Sequence, residues 1–399
     1  MNKKISLGLC ISLIIISVTA TFAVTMVVSK QIYNGIIGNI SQRSQTYDSL
    51  EEISGLVNSY YYGSDEDRSR INASLVNGYV EGLGDSNSLY LNAADYAEYT
   101  AMLEGGLTGI GVETAYNYQK SSFVITHVYE GSPAEKAGLN ALDVITAINN
   151  NAVTMSNYNI LSEELYGSML SAVKIEYERD GETKEVEPMR GFSIPGVSGR
   201  LESNVGYIKI NGFYKNTASE FKETVEKLIE KGAESMIFDV RNTYSGTIEY
   251  AAQVIDVIVP AISENIAVAK GKNGENKKVF TAENNSVTMP FVVLVNGSTS
   301  GPAELFACDL RDISQAQIVG TRTAGVGTMQ ELFALEDGGA VLLTVALVVP
   351  KGGEAAVYNE KGIEPTVEVS LNAGYTVNLS LLTVEEDNQL STALNMLAA

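Results

Sequence analysis

The sequence predicts a protein of the α/β class in the mixed α+β sense, with an N-terminal transmembrane helix, a helical region, a β-rich module and an α/β core. Three observations carry this: an uncharged apolar run near the start, short β-branched segments after Gly105, and alternating buried strands and amphipathic helices from about residue 200. The expected division is 1–30, 31–104, 105–190 and 191–399. With 399 residues, 45% of them hydrophobic, 19% charged and only 8 proline, the chain has the composition of packed domains rather than of disorder.

Charge removes one class of partner. The 27 Lys and Arg stand against 48 Asp and Glu, a net charge of −21, and such a surface repels nucleic acid. Two cysteines, Cys10 and Cys308, cannot build a disulfide framework, and one histidine leaves no zinc cluster to assemble. No metal and no cofactor is expected.

After Lys3 and Lys4, the stretch from Ile5 to Val28 carries no charge. As a helix it would reach about 36 Å, enough to cross a bilayer. Thr21 and Ala23 offer a signal-cleavage site, yet the apolar run continues to Val28, so an uncleaved signal anchor is the expectation. Lysines ahead of the span place the amino terminus in the cytoplasm and the bulk of the chain outside the cell membrane. Beyond it, Leu50, Ile53, Leu56 and Val57 fall at helical spacing, and a second periodic stretch runs from Ile71 to Leu83 before Gly82, Gly84 and Asp85 stop it. The intervening Tyr60, Tyr61 and Tyr62 read as rings that cap a core.

Strands are expected at Phe123–Thr126, Val144–Ile148 and Val173–Tyr177, the last closed by the turn Asp180-Gly181. Between the first two, Ser132 and Pro133 start a short helix and Gly138 closes it. The run Gly131-Ser132-Pro133-Ala134-Glu135-Lys136-Ala137-Gly138-Leu139 followed by Asp143-Val144-Ile145 resembles a PDZ domain. The resemblance implies that Gly109, Ile110, Gly111 and Val112 form a loop whose N–H groups receive a peptide's terminal carboxylate, while the following strand pairs with the peptide. A plain glycine turn without a ligand is the other reading. Leu142 stands where the family usually has glycine.

From Val205 onward the segments read strand Val205–Ile210, helix Ala218–Lys231, strand Ser235–Val240, strand Phe291–Val295, helix Pro302 to about Leu310, and strands Ile318–Gly320 and Ala340–Val349. Several motifs fall in a fixed order: Gly78 to Leu91, Gly206-Tyr207-Ile208-Lys209-Ile210, Asp239-Val240-Arg241-Asn242, Val293-Leu294-Val295-Asn296, Ala303-Glu304-Leu305-Phe306, Gly320-Thr321, Gly362-Ile363-Glu364-Pro365 and Asp387-Asn388-Gln389-Leu390. In that order the chain resembles the carboxyl-terminal processing serine peptidases, also called tail-specific proteases. The resemblance implies a ClpP/crotonase-like α/β core and a serine activated by a lysine, with a glutamine completing the site.

Counting from Glu304 and from Asn296, both anchors place the family's nucleophile at Gly301. In Gly320-Thr321-Arg322-Thr323-Ala324-Gly325-Val326-Gly327, the lysine's place is taken by Val326, while Gln330 matches the glutamine. Pro302 has no N–H to offer an oxyanion, and Thr243-Tyr244-Ser245-Gly246 keeps only Gly246 of the family's glycine pair. Nucleophile, base and one donor are thus all absent. Gly301, Pro302 and Glu304 do make sense as helix cap, first helical residue and reciprocal acceptor.

The expectation is therefore a pseudopeptidase that binds carboxyl-terminal or extended segments of proteins, with an active related protease or self-association as further partners. A working endopeptidase using Ser300 or Ser298 is the alternative, and an assembly subunit with an unused groove is a third. Arg322 is too basic to act as a base, His127 belongs to the PDZ-like module, and Cys308 should face the core. Lys351 and Lys361 can be judged only in three dimensions.

Overall fold

The computed structural model describes residue 26 and residues 48–398 apart from 64–66, 107, 118–119, 168–170, 261–264, 283–288, 373–378 and 380–381. The expected membrane span lies outside the described residues except for Met26, and among the described residues no helix is long and apolar enough to cross a membrane. The chain divides into two compact units, Met1–Ser74 and Leu75–Ala399. In the first, residues 48–60 are helical, and no described residue of 48–63 is buried. Tyr60 and Tyr62 are 82% and 103% exposed, which corrects the expectation that these rings cap a core: the helical turns beside them bury nothing for the rings to cover.

In the second unit, strands Val112–Asn117, Ser122–Val128, Val144–Ile148, Ile175–Arg179 and Glu182–Val186 form one antiparallel sheet in that order. Alternation along them sends Ile125, Ile145 and Ile175 into a common core with Ile110, Leu139 and Leu165. Ser132 accepts from the Glu135 N–H, Pro133 occupies the first helical position, and the short helix Pro133–Lys136 is capped as expected. A second helix, Tyr158–Glu163, follows.

The core is built on a six-stranded sheet in the order Val197–Glu202, Val205–Ile210, Ser235–Asp239, Phe291–Val295, Gln317–Gly320 and Val367–Glu368. Its first pair is antiparallel and all later pairs are parallel. Both faces are covered, the usual condition for parallel strands. Ile208, Phe238, Val293 and Val295 meet the helices Thr217–Glu230, Ile248–Ile258 and Pro302–Ser314, while Tyr207, Ile237, Leu294 and Val319 meet the last helix, Asn388–Ala398. The first of these clusters continues through Ile266, Ala269, Met329 and Val348 into a second sheet, made of Leu89–Leu91, Ala340–Pro350, Asn265–Gly271, Asn276–Thr281 and Thr328–Ala334. Leu89–Leu91 is a strand inside the region expected to be helical; three residues paired with Ala340–Leu342 are too short and too distant in sequence to leave a periodic signal.

Among the described residues, Arg241 is the largest fully buried side chain. It bonds Asp239 from its own strand end, and Asp387 and Gln389 at the start of the last helix, so it fastens that helix under the sheet.

Leu142 explains why a glycine is usual at its place. Its φ is 73°, its side chain is 69% exposed, and its N–H is held by the Ile125 carbonyl at 2.7 Å. A side chain in left-handed backbone costs about 1 kcal/mol or more. Leu142→Gly should therefore raise the urea unfolding midpoint, by up to about 1 kcal/mol in stability; an unchanged or lower midpoint would contradict the strain.

Candidate active site

Three loops leave the carboxyl ends of neighbouring parallel strands, where open α/β sheets place their sites. They follow Ser235–Asp239, Phe291–Val295 and Gln317–Gly320, and they are stitched together. Asn242 and Asn296 exchange two hydrogen bonds, at 3.0 and 2.7 Å. The Thr299 hydroxyl donates to the Val240 carbonyl at 2.8 Å, the Ser300 N–H to the Thr243 carbonyl at 3.0 Å, and the Ala324 N–H to the Thr299 carbonyl at 3.0 Å. The middle loop therefore touches the other two directly.

At its end stands Gly301, the cap of helix Pro302–Ser314, with φ 57° and ψ −113°. That conformation is close to exclusive to glycine, and it turns the chain sharply from strand to helix. A Cβ added to Gly301 would meet no atom within 4 Å. The turn that would lift a nucleophile into the cleft is in place, with a hydrogen where the side chain would be.

Glu304 binds this turn to the third loop. Its Oε2 accepts from the Gly301 N–H at 3.0 Å and from the Val326 N–H at 2.7 Å, so one oxygen joins the two expected catalytic positions. Its Oε1 accepts from the Gly325 N–H at 2.7 Å and from the Thr323 hydroxyl. Burial holds this carboxyl above the usual range, against four donors that favour the carboxylate. The expected reach from Glu304 back to the cap is present, but its hold on Gly325 and Val326 carries no local sequence signal.

Val326 offers an isopropyl group where the family has an amine. Gln330 is matched in sequence, yet its amide donates to the Thr328 and Thr344 hydroxyls at 2.9 and 3.2 Å. On the oxyanion side, Gly246 is retained because the backbone crowds it: a Cβ there would stand 2.0 Å from the Phe213 carbonyl oxygen. Tyr244 in the same loop is 67% exposed. Pro302 has no N–H, as read from the sequence.

The fallback residues do not assemble. Ser298 is exposed and Ser300 half-buried, and among the described residues no hydrogen bond from an amine reaches either hydroxyl. The nearby amine is Lys209, which sequence reasoning did not single out. It donates to the Arg241 carbonyl at 2.6 Å and to Thr243 Oγ1 at 3.0 Å, and burial pushes its pKa down to about 8 against the pull of Asp239. Thr243 itself is fully buried and gives its proton to the Ile210 carbonyl, so the half-buried Lys209 meets a hydroxyl that is already committed. Arg322 is paired with Glu364, and the Lys361 carbonyl accepts from Arg322. Cys308 is buried and its thiol is pushed up by burial. His127 is exposed, its ring edge-on to Tyr129.

Comparison with known proteins agrees with this construction. Residues 106–187 match the PDZ domain, and residues 204–369 match peptidase family S41. The chain thus carries a PDZ-like region followed by an S41-like region, and it is similar to carboxyl-terminal processing proteases. Among curated relatives it is 29% identical over 359 residues to the carboxy-terminal processing protease CtpA of Bacillus subtilis, covering 87% of this chain and 76% of that one. A CtpA-like serine protease of Staphylococcus aureus is 26% identical over 372 residues, covering 92% and 73%. Among solved structures, the photosystem II D1 C-terminal processing protease superposes with a TM-score of 0.50 at 25% identity, covering 84% of this chain and 91% of that one. An S41 protease from Bacteroides fragilis, at 17% identity and TM-score 0.58 over 85% and 91%, shares the fold.

Removing the carboxylate that joins the loops should be costly. Glu304→Ala leaves three N–H groups and a hydroxyl without their acceptor, and we expect a loss of roughly 3–5 kcal/mol by urea unfolding, with Glu304→Gln losing less. A loss under about 1 kcal/mol for the alanine variant would show that the loops hold without it.

Proposed function

We propose that this chain is a non-hydrolytic member of its family: an outward-facing, membrane-tethered protein that holds segments of other polypeptides without cutting them. Tethering rests on the uncharged run from Ile5 to Val28 and on the lysines before it. The observation that carries the loss of hydrolysis is the pairing of Gly301 with Val326 on one Glu304 oxygen. The two positions are adjacent as the chemistry would need, and neither has a reacting atom. Absence of nucleophile and base each costs orders of magnitude, and Pro302 removes a donor as well.

The binding part of the fold is kept. The sheet that begins with Val112–Asn117 and the Gly109–Gly111 turn before it are formed, and a Cβ added at Gly301 would meet no atom within 4 Å. Protein segments are therefore the ligands, and partner proteases or a second copy are the candidates it would regulate or scaffold.

The test is a cleavage assay on unfolded protein substrates, read by mass spectrometry, together with a fluorophosphonate label. Wild-type protein should give neither product nor label above a heat-killed control, and Ser300→Ala and Ser298→Ala should be indistinguishable from it. Robust turnover that is abolished by Ser300→Ala would establish the substitute-nucleophile enzyme instead.

A further inference from the structure

The segment 351–363, which follows strand Ala340–Pro350, lies as a strap across helix Pro302–Ser314 and the loop 323–327. On the helix, the Lys351 N–H donates to Asp309 Oδ1 at 2.9 Å, and the Cys308 sulfur lies 3.9 Å from the Ala356 carbonyl. A Cβ on Gly352 would stand 2.5 Å from Asp312 Oδ2. On the loop, the Glu360 N–H donates to the Gly325 carbonyl at 2.8 Å, the Gly327 N–H to Asn359 Oδ1 at 3.0 Å, and the Ile363 N–H to the Thr323 hydroxyl at 2.7 Å. The strap therefore supports the stretch that carries Gly325 and Val326.

Two polar atoms at this contact have no hydrogen-bond partner among the described residues. Asp309 is fully buried with its Oδ2 unbonded, and the Tyr358 hydroxyl, on a side chain 2% exposed, is unbonded too. A buried carboxylate with one N–H donor is costly, so the neutral acid is the form that fits. Burial, with Asp312 nearby, holds the Asp309 carboxyl well above the usual range, while the Lys351 N–H and Arg311 pull the other way. Arg311 is committed elsewhere: its guanidinium donates to Asp312 Oδ1 at 2.7 Å and to the Cys308 sulfur at 3.3 Å. The Tyr358 phenol is raised by burial and by Glu304, Cys308 and Asp309. Of the other elements packed on this helix, strands Gln317–Gly320 and Ala340–Pro350 bring no charged or titratable residue. Helix Ile248–Ile258 brings Glu249, which is paired with Lys278, and the half-buried Tyr250 and Asp256.

We propose that Asp309 is a proton-operated latch: the neutral acid holds the strap on the helix, and its ionisation as the pH rises releases the strap and, with it, the loop of Gly325 and Val326. A carboxyl that binds its proton more tightly in the closed chain than in the open one stabilises the closed form fully at low pH. That stabilisation is lost as the pH climbs through the closed-state value. The opening is local, because the strap is joined to the helix and the loop by a few hydrogen bonds while the sheets beneath keep their own. The wall of the cleft is thus firm at low pH and loosened at high pH, whatever the cleft holds.

Cys308 reports the state of the latch. It is fully buried beside Ala356 of the strap, and burial pushes its thiol up, so it reacts with an alkylating reagent when the strap lifts. Asp309→Asn keeps an acceptor for the Lys351 N–H and cannot ionise, which makes it the comparison at each pH.

The experiment treats the full chain in detergent with iodoacetamide between about pH 6 and about pH 9, and follows Cys308 by peptide mass spectrometry. The wild-type rate divided by the Asp309→Asn rate should be about one at the acid end and at least about tenfold at the alkaline end. A ratio that stays constant would overturn the latch. Hydrogen exchange of the wild type needs no variant. Protection of 351–363, corrected for intrinsic exchange and referred to helix Thr217–Glu230, should fall at least about tenfold over the same range, and unchanged protection would overturn the proposal by itself. Tyr358→Phe should keep the wild-type profile, since the hydroxyl it removes has no partner. A flat profile in that variant would assign the titration to the phenol and overturn the role of Asp309.

Discussion

The buried carboxylate of Glu304 is the contact on which the cleft depends. It sits at the third position of helix Pro302–Ser314, where the positive end of the helix favours an anion, and it receives hydrogen bonds from the cap Gly301 and from the loop through Thr323, Gly325 and Val326. A single group thereby fixes the strand-to-helix turn and the stretch through Val326. The tie uses backbone donors, so it is indifferent to which side chains occupy positions 301 and 326. That indifference is why the geometry of a peptidase cleft can persist with a hydrogen and an isopropyl group at its centre.

Support from below is electrostatic as well. Asp239, Arg241 and Asp387 form a buried chain of charges under the same loops, with the Tyr207 hydroxyl donating to Asp239 at 2.7 Å. Burial alone would raise Asp239, but Arg241 and Lys209 hold it at about 2. Such a buried network adds little net stability, and breaking one partner is costly, so it fixes where the last helix and the Asn242 loop can sit. The loops around Gly301 are thereby preorganised.

Much of this was legible in the sequence. Strands such as Ser235–Asp239 and Phe291–Val295 are continuous apolar runs, as strands covered on both faces must be, and helix Thr217–Glu230 announces itself by its apolar stripe. The positions of Gly301 and Val326 follow from two independent spacings in the sequence, and the structure has both backbone N–H groups donating to Glu304. Pairings between distant short pieces were not legible. Leu89–Leu91 joins a strand some 250 residues later, and Leu165 meets Ile110 across the PDZ-like module; neither leaves a periodicity to read. The helix Ile248–Ile258 and the strands Asn265–Gly271 and Asn276–Thr281 lie between the motifs that carry the resemblance, and no motif marks them.

The central claim is that the scaffold is complete and only the reacting atoms are missing. The most direct measurement is fluorophosphonate labelling of the combined variant Gly301→Ser, Pro302→Ala, Val326→Lys, followed by peptide mapping. The account predicts a single covalent adduct at position 301, slowed by a side chain forced into left-handed backbone but absent from the wild type. A variant that folds with the wild-type circular dichroism spectrum and urea midpoint and takes no label would contradict it, because the cleft would then lack more than a hydroxyl, an amine and an N–H.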